Sequence, residues 1–490
     1  MNEWLQVGVS GMSMYVPAPR VRLEDWCAWT GNVWPKVQAV VGRSFRMSAP
    51  NENVYTMAAT AVLRLIDAYD VRPEQVGMLA LGTESSSDNS AGAIIVKGMV
   101  DAALVASGRP ALSRHVEVPE TKHACLGGIY ALKSALRYVA TDGADRVAIV
   151  VSGDIAEYAR GSTGEQTQGA GAVAMLVTRD PTLFSVDLAH AGSAASYRAL
   201  DFRKPVGRHD VPGYADTTAR RHDFPVFNGK FSTACYLDEV VHAFLTMAER
   251  HGVAPLALFD RFEGLFFHRP YHGMPVSGLA ALYAFALVHS PDAAERLATL
   301  CQTAEVSLAA VRAEAQSLPD LLTLALRDEV ESEPWPVLSK LLRAVRQDAQ
   351  FKDLASRKLA LGTDAMMDLG NLYTAALPAW IAAGLEQALE RGQDLAGRHF
   401  GLIGYGSGDA AEALPMTVAP AWRSAAQRLG FRAALDHAVD LAQPSYEALH
   451  DGRAVEALDL VRPGTFVIDR VGERFDGPVH DVGVEVYRRA

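Results

Sequence analysis

The chain has 490 residues and a formal net charge of -11. A protein that neutralises nucleic-acid phosphates needs a basic face, so this charge argues against a nucleic-acid partner. The length exceeds that of a typical single hydrophobic core, and we therefore expect two domains, or two halves fused about one large core.

The four cysteines, Cys27, Cys125, Cys235 and Cys301, form no CxxC pair and no dense framework. This usage predicts a reducing compartment, with the cytoplasm as the best fit, and neither structural disulfides nor a zinc site. The N-terminal residues lack a basic stretch followed by an apolar signal core, and no apolar run approaches twenty residues. The sequence thus predicts neither secretion nor a membrane-spanning segment.

Short apolar runs alternate with longer helical patterns along the chain, which is typical of an α/β protein whose helices cover mixed or parallel sheets. The predicted strands are 76–84, 146–154, 169–177, 263–270 and 399–409. Ligands collect at the carboxyl ends of strands in open α/β sheets, so polar residues at these ends are candidates for a site. They are Glu84, Asp154, His268 and Ser407.

Cys125 stands directly before a glycine pair and an amphipathic pattern. Apolar residues recur at helical spacing over 129–139, which predicts a helix that begins near the cysteine and ends at Gly143. A helix N-terminus favours a thiolate, the form of cysteine that attacks carbonyl carbons. A small buried core residue is the alternative for an isolated cysteine.

A faint internal repeat links the two parts of the chain. Cys125 precedes a strand that ends in Ser-Gly-Asp, and Asn371 precedes one that ends in Gly-Ser-Gly-Asp. A fused duplication explains this repeat, although such passages also recur by chance in α/β proteins. Residues 201–229 are loop-like and locally basic, and could meet an anionic ligand. Residues 300–360 read as consecutive helices, either solvated cover or an inserted cap.

Glu84, Cys125 and His268 each have an ordinary structural explanation when taken alone. Together they supply a base, a nucleophile and a polarising donor. These three are a complete set for forming a carbon–carbon bond through an acyl-thioester. The sequence therefore predicts that they share one pocket.

Several motifs occur in one order along most of the chain, though they cover 300–360 poorly. They are "LGTESSSDNS", "TKHACLGGIYAL", "SGDIAEYA", "TQGAGAVAMLV", "LDFRKP", "FPVFNGKFSTACYLDEV", "FFHRPYHGMP", "LGNLYTAAL", "GYGSG" and "GTFVIDRVGERF". In these motifs the chain resembles the 3-hydroxy-3-methylglutaryl-CoA synthases, which are thiolase-fold condensing enzymes.

The resemblance implies a thiolase-like α/β fold with duplicated βαβαβαββ halves, a five-layer αβαβα core and an extra helical segment in the second half. The halves would span 1–178, with the catalytic glutamate and cysteine, and 179–490, with the histidine, the basic loop 201–229 and the helical insertion at about 300–360. It also implies a homodimer.

The implied reaction condenses acetyl-CoA with acetoacetyl-CoA and water to give 3-hydroxy-3-methylglutaryl-CoA and CoA, as in the mevalonate route to isoprenoids. The resemblance makes Cys125 the acetylated residue, Glu84 the general acid/base and His268 the residue that faces the acetoacetyl thioester. No metal or redox cofactor is implied.

Further family positions would line or support the pocket. The resemblance assigns Asn371, Tyr373 and Ser407 to the pocket wall, and Asp154 and Asp201 to supporting acidic positions. Close backbone approach at Gly406 to Gly408 could stabilise an enolate oxygen. The full predicted set of substrate-binding residues is Asp154, Asp201, Asn371, Tyr373, Gly406 and Ser407.

The chain departs from the family at the phosphate-binding lysine that often follows the active-site histidine, since Gly273 and Met274 stand there. Arg203, Lys204, Arg269 or the basic loop could compensate in binding CoA. Alternatively, the substrates could be borne on an acyl carrier protein, as in the β-branching synthases of polyketide assembly. We rank the CoA-dependent function first.

Two other hypotheses for the function stay open. A ketoacyl synthase III-like enzyme that decarboxylates its donor would need no base at Glu84. A catalytically silent thiolase-fold subunit could act as a scaffold. Leu126, where the family often has an aromatic residue, leaves the shape of the pocket open.

Overall fold

The computed structural model describes residues 6–490 except 89, 205–223, 319, 454, 456–457, 459–460, 476–477 and 479. The strands are β1 (Val7–Tyr15), β2 (Pro19–Arg22), β3 (Ser44–Arg46), β4 (Val76–Gly82), β5 (Glu120–Thr121), β6 (Val147–Ala156), β7 (Gly169–Arg179), β8 (Phe184–Val186), β9 (Gly192–Ala195), β10 (Gly264–Phe267), β11 (His399–Gly406), β12 (Ala410–Val418), β13 (Val439–Asp440), β14 (Phe466–Val471) and β15 (Glu485–Arg489).

The helices are α1 (Leu23–Thr30), α2 (Trp34–Val40), α3 (Val54–Ala68), α4 (Gly92–Ala106), α5 (Gly127–Ala140), α6 (Gly229–Arg250), α7 (Pro255–Arg261), α8 (Met274–Val288), α9 (Ala294–Thr303), α10 (Leu308–Gln316), α11 (Leu321–Leu326), α12 (Leu338–Gln347), α13 (Ala349–Lys358), α14 (Ala376–Glu390), α15 (Trp422–Ala426), α16 (Phe431–Leu435) and α17 (Gln443–His450). The five strands predicted from the sequence correspond to β4, β6, β7, β10 and β11.

The first half of the chain builds a mixed sheet in the order β5-β4-β6-β7-β1. Strands β4, β5 and β6 are parallel, so their carboxyl ends meet at one edge. Strands β1 and β7 run antiparallel to their neighbours. Most residues of β6 and β7 are buried on both faces, which explains their continuous apolar runs.

The second half contributes β10-β11-β12-β8, with β9 also paired to β12. Strand β8 joins the two halves because it pairs with both β12 and β1. The β1–β8 contact spans two residue pairs, Gly8 with Ser185 and Val9 with Phe184. The ten strands thus form one hydrogen-bonded sheet with a narrow junction in the middle.

Alternate residues of β10 face different helices. Phe266 packs on Trp380 of α14, whereas Phe267 lies against Gly278 of α8. On the α14 side, a Cβ at Gly404 of β11 would meet Leu126, beside the start of α5. Helices α5 and α14 therefore lie between the two halves of the sheet, while α3 with α4 and α6 with α8 cover the outer faces. This arrangement confirms the expected five-layer thiolase-like fold.

The segment 300–360 is helical, as its composition predicts. Helices α10 and α12 pack on α8 through buried residues such as Val311, Leu341 and Val345. The segment is cover for an outer helix of the second half.

Among the described residues, no single helix has the length and apolarity to cross a membrane. One strongly bent pair, Met274–Val288 with Pro291–Thr303, reaches that length and composition only when the two are counted together.

Candidate active site

Cys125 lies in a tight turn between β5 and α5. The preceding residue, Ala124, has φ 41°, in the left-handed region that non-glycine residues rarely adopt. The N–H of Leu126 donates to the carbonyl of His123 at 2.9 Å, which closes the turn. Helix α5 begins at Gly127, so Cys125 stands at a helix N-terminus as the sequence predicts.

Glu84 and Asp154 lie at the same edge of the sheet as Cys125, because β4, β5 and β6 are parallel. Asp154 accepts hydrogen bonds from the N–H groups of Glu84 (2.8 Å), Ser85 (2.9 Å) and Thr374 (3.0 Å). It is fully buried, and it ties the segment that carries Glu84 to the second half of the chain. Asp154 therefore holds Glu84 in place through the backbone.

The Glu84 carboxylate interacts electrostatically with the Cys125 thiol and lies 2.8 Å from the Lys204 ammonium. Burial raises the pKa of Glu84, and Lys204 opposes that shift. Burial also disfavours a charged Lys204, but the nearby carboxylates outweigh it and raise the lysine pKa. Lys204, which we predicted as a CoA ligand, thus pairs with Glu84 and lies over the Tyr373 ring at 4.8 Å.

The protonation state of Cys125 differs from the sequence-based expectation. Burial raises the thiol pKa well above its ordinary value, and the Glu84 and Asp154 carboxylates raise it further. Burial lowers the pKa of His268 to about 3, so this imidazole is neutral and supplies no positive charge. The raised thiol pKa and the neutral imidazole favour a neutral thiol in the free site.

His268 directly follows β10 and is 3% exposed. The backbone N–H of His268 donates to the carbonyl of Ile403 on β11 at 2.7 Å. This hydrogen bond continues the parallel pairing of β10 with β11. The Tyr236 hydroxyl donates to the carbonyl of His268 at 3.2 Å. These contacts fix the backbone, so the imidazole enters the site from a rigid strand end.

Cys125 and His268 line the same cavity, which has a volume of about 290 Å³. The predicted residues Asn371, Tyr373 and Ser407 also line it. The structure therefore brings the candidate nucleophile and imidazole to one volume, with Glu84 in contact with the thiol.

Aromatic rings form the wall beside the thiol. Tyr158 lies at the centre, with ring-centroid distances of 6.5 Å to Phe202, 5.6 Å to Phe227 and 6.2 Å to Tyr373. The edge-to-face geometry packs these rings closely and limits water near Cys125. Tyr158, Phe202 and Phe227 were not among the site residues predicted from the sequence, although they lie inside the motifs "SGDIAEYA", "LDFRKP" and "FPVFNGKFSTACYLDEV".

The remaining pocket residues are positioned by short backbone contacts. Asn371 is buried, and its Oδ1 accepts from the N–H of Tyr373 at 2.9 Å, where the backbone has φ 44°. At Gly406 an added Cβ would lie 2.5 Å from the carbonyl oxygen of His123. Glycine at this position lets the end of β11 approach the turn that carries Cys125.

Asp201 is buried beside Tyr405, whose ring lies near His268. Its Oδ2 accepts from the Tyr405 hydroxyl at 3.2 Å, and the same hydroxyl lies 2.6 Å from Oδ1 of Asp409. Tyr405 lines the cavity and Asp409 follows Ser407 by two residues. The sequence analysis named neither Tyr405 nor Asp409 as a site residue.

The basic residues predicted to bind CoA lie in three different settings. Arg203 is exposed and pairs through its backbone with Val226. Arg269 is 3% exposed, donates to the carbonyl of Thr363 at 2.9 Å and lies over the Trp380 ring. Of the predicted basic loop, residues 205–223 lie outside the described residues. Of the three predicted residues Arg203, Lys204 and Arg269, Arg203 is the one that is exposed to solvent.

Comparisons with known proteins agree on one family. A family model described as the N-terminal part of hydroxymethylglutaryl-coenzyme A synthase matches residues 4–182. The hydroxymethylglutaryl-CoA synthase of Saccharomyces cerevisiae is 30% identical over 83% of this chain and 74% of the relative. The synthase of Haloferax volcanii is 28% identical over 82% and 80%, and that of Enterococcus faecalis 26% over 91% and 91%.

Solved structures agree with the sequence matches. MvaS in complex with 3-hydroxy-3-methylglutaryl coenzyme A has a TM-score of 0.76 and 26% identity over 99% of both chains. The synthase of the curacin biosynthetic pathway, in complex with a donor acyl carrier protein, shares the fold at a TM-score of 0.69 and 19% identity over 99% and 100%. The chain therefore belongs to the hydroxymethylglutaryl-CoA synthase family, acyltransferases that condense acetyl-CoA with acetoacetyl-CoA.

Proposed function

We propose that Cys125 carries the acetyl group in this reaction, that Glu84 is the general acid/base and that His268 polarises the acetoacetyl ketone. One observation carries the assignment: the Glu84 carboxylate acts on the pKa of the Cys125 thiol, and that thiol lines the same cavity as His268. Nucleophile, base and donor are then within reach of two small acyl groups.

In the first step, Glu84 takes the proton of the thiol as sulfur attacks the thioester carbonyl of acetyl-CoA. The carbon–sulfur bond to CoA breaks, the CoA thiolate receives that proton, and acetyl-Cys125 remains. A neutral thiol paired with a carboxylate suits this route, because sulfur becomes anionic only as it attacks. Lys204 keeps the carboxylate ionised in its buried position.

In the second step, Glu84 removes a proton from the acetyl methyl group, and the developing enolate oxygen needs hydrogen-bond donors. The backbone at Gly406 to Gly408 is the candidate donor, since it passes close to the turn that holds Cys125. The enolate carbon attacks the ketone carbon of acetoacetyl-CoA. An N–H of neutral His268 stabilises the tertiary alkoxide, which takes the proton held by Glu84 and becomes the 3-hydroxyl group.

In the last step, water hydrolyses the cysteinyl thioester. Glu84, ionised again, takes one proton from the water as the water oxygen bonds to the carbonyl carbon. The bond to sulfur breaks, Glu84 passes that proton to sulfur, and the acid formed releases the remaining water proton to solvent. The product leaves as 3-hydroxy-3-methylglutaryl-CoA with a free carboxylate. These steps need only CoA thioesters and water as reactants.

We further propose that free CoA thioesters, not carrier-protein thioesters, are the substrates. The relatives at 26% to 30% identity are named CoA synthases, whereas the carrier-protein complex belongs to a protein at 19% identity. The family lysine is replaced by Gly273, whose N–H donates to the carbonyl of Val40 at the cavity wall. Among the described residues, Arg203 is the candidate phosphate contact.

Acetyl transfer tests this choice of donor directly. We expect acetyl-CoA to acetylate Cys125 at least a hundredfold faster than a panel of acetylated carrier proteins, a preference worth about 2.7 kcal/mol. Intact mass measured over time, followed by peptide mapping, gives the rate and the modified residue. A hundredfold preference for a carrier protein would instead support the β-branching function.

The Glu84–Lys204 pair predicts a specific change in pH dependence. Replacing Lys204 by methionine removes the charge that opposes the raised pKa of Glu84, so that pKa rises further. Less carboxylate is then present on the acidic side, and we expect condensation to fall most at low pH and to recover as pH rises. Steady-state rates across the pH range check this, with Lys204→Arg as the charge-preserving control. An equal loss at every pH would contradict it.

Three further predictions concern the oligomeric state, the compartment and the boundary between the two halves. We propose a homodimer, which analytical ultracentrifugation would detect. We also propose the cytoplasm as the compartment, in keeping with four unpaired cysteines. The division into halves at 178 and 179 falls at the end of β7, just before the junction strand β8.

A further inference from the structure

Two buried carboxyl groups lie together on the His268 side of the cavity. Asp201 and Asp409, which we call the carboxyl pair, are each 2% exposed. One oxygen of each lies within 4.8 Å of the other and of the Cys235 sulfur on α6. The backbone of Asp409 is paired in both directions with Ser196 at 3.0 Å, so its position is fixed.

The recorded hydrogen-bond donors do not reach every oxygen of this cluster. The Tyr405 hydroxyl lies 3.2 Å from Oδ2 of Asp201 and 2.6 Å from Oδ1 of Asp409, but it carries a single hydrogen. The other oxygens, Oδ1 of Asp201 and Oδ2 of Asp409, are buried without a hydrogen-bond donor among the described residues. One proton held between the two carboxyl groups satisfies these oxygens, since a carboxylic acid can donate.

The surrounding charges also favour a proton over two carboxylates. Within the described part of the chain, neither member of the carboxyl pair forms an ion pair. Arg198 is the cation that acts on neighbouring Cys235, and its guanidinium is held by Asp238 at 2.6 Å and Glu239 at 2.7 Å. Burial raises the pKa of Asp409, and the adjacent Asp201 raises it further. Two buried like charges in contact cannot both persist near neutral pH.

The carboxyl pair touches the catalytic cavity through Tyr405 and the turn after β11. The Tyr405 ring stacks near His268, with ring centroids 6.5 Å apart and planes inclined by 30°. Oδ1 of Asp409 also accepts from the N–H of Gly408 at 2.6 Å, beside Ser407, which lines the cavity. A change in the carboxyl pair would therefore move the part of the cavity wall that Tyr405 and the Ser407 turn form beside His268.

We infer that Asp201 and Asp409 share one proton and that Asp409 is a positioning residue, which holds Tyr405 and the Ser407 turn against His268. The inference rests on the proposed function, because it assigns the carboxyl pair to the condensation half of the reaction. Asp409 touches neither acyl group. It acts through the Tyr405 hydroxyl and the Gly408 N–H.

A pH dependence follows from this arrangement. The titratable and charged groups that face the carboxyl pair among the described residues are Tyr405 of β11, Cys235 of α6 and, behind Cys235, Arg198. When the shared proton is lost above neutral pH, two carboxylates face one another without a cation. Repulsion then disturbs Tyr405 and the turn, and condensation falls more than acetylation of Cys125 does.

The test compares Asp409→Asn and Asp409→Ala with the parent chain. Asparagine replaces the acidic proton with a permanent amide donor, so we expect the alkaline fall in the condensation rate to disappear between about pH 7 and about pH 10. Alanine removes both contacts, and we expect at least a tenfold loss of condensation with a smaller loss of Cys125 acetylation by acetyl-CoA. Asp394→Asn, at a carboxylate whose side chain is 72% exposed, is the control for loss of a charge.

Infrared difference spectra supply a readout that does not depend on turnover. A protonated carboxyl band should be present in the parent protein and absent from Asp409→Asn. Absence of that band from the parent, an unchanged alkaline limb in the asparagine variant, or a cation that copurifies with the parent and is lost from the variant would each overturn the shared proton. Failure of acetylation in every protein, parent included, would instead reject the proposed function.

Discussion

Replacing Cys125 by alanine is expected to abolish the acetyl adduct and to lower the rate of condensation by roughly 10⁴-fold or more, the scale of loss seen when a covalent nucleophile is removed. The physical reason is that no second thiol lines the cavity among the described residues. Intact mass after incubation with acetyl-CoA, together with a steady-state assay, measures both effects.

Cys301→Ala is the matched control, since Cys301 is a buried thiol on α9, in the helical cover of α8. It removes the same atom from the core without touching the cavity, so the acetyl adduct should persist. An adduct that survives in Cys125→Ala and disappears in the control would refute the assignment of the nucleophile. If neither the parent protein nor any variant forms an acetyl adduct, the scaffold hypothesis is favoured.

The sequence predicted the elements that bring the catalytic groups together because strong local signals marked them. Parallel strands that end at Glu84 and at Asp154 must share an edge, and the glycine pair after Cys125 indicates a helix start. The family motifs then related these positions to His268, nearly 150 residues further along. Such signals are short-range patterns of apolar and turn-forming residues, which a single sequence preserves.

The protonation states of the site residues could not be predicted from such local patterns. A helix N-terminus argued for a thiolate at Cys125, but the thiol pKa depends on burial and on the carboxylates that surround it in space. Lys204 looked like a phosphate ligand because it lies in a basic stretch, yet the fold turns it inward to Glu84. Each outcome depends on which side chains meet across the two halves, which no local pattern encodes.

The carboxyl pair illustrates the same limit. Asp201 lay inside a family motif, whereas Asp409 was only the last residue of a predicted strand end. Their contact arises because the segment after β9 and the turn after β11 meet at one wall of the cavity. In the sequence the two acidic residues lie about two hundred positions apart, so no local pattern predicts that they share a proton.

Glu84→Gln is expected to lower condensation by roughly 10²-fold to 10⁴-fold, the usual contribution of a general base. The amide keeps the size of the side chain but cannot accept the thiol proton or the methyl proton. Acetylation of Cys125 should therefore slow, and exchange of the acetyl methyl protons with deuterated water should stop. Mass spectrometry of the acetyl peptide formed in deuterated water measures both quantities on one sample.

The same substitution separates condensation by proton abstraction from condensation by decarboxylation, because a decarboxylating ketoacyl synthase creates its carbanion without a base. Glu120→Gln is the matched control: Glu120 lies on β5 at the same edge of the sheet and accepts from the Ser86 hydroxyl at 2.7 Å, outside the residues that line the cavity. If Glu84→Gln condenses acetyl-CoA within about threefold of the parent, Glu84 is not the base. If methyl exchange is lost in Glu84→Gln but persists in Glu120→Gln, the exchange depends on the carboxylate of Glu84, beside the sulfur that bears the acetyl group.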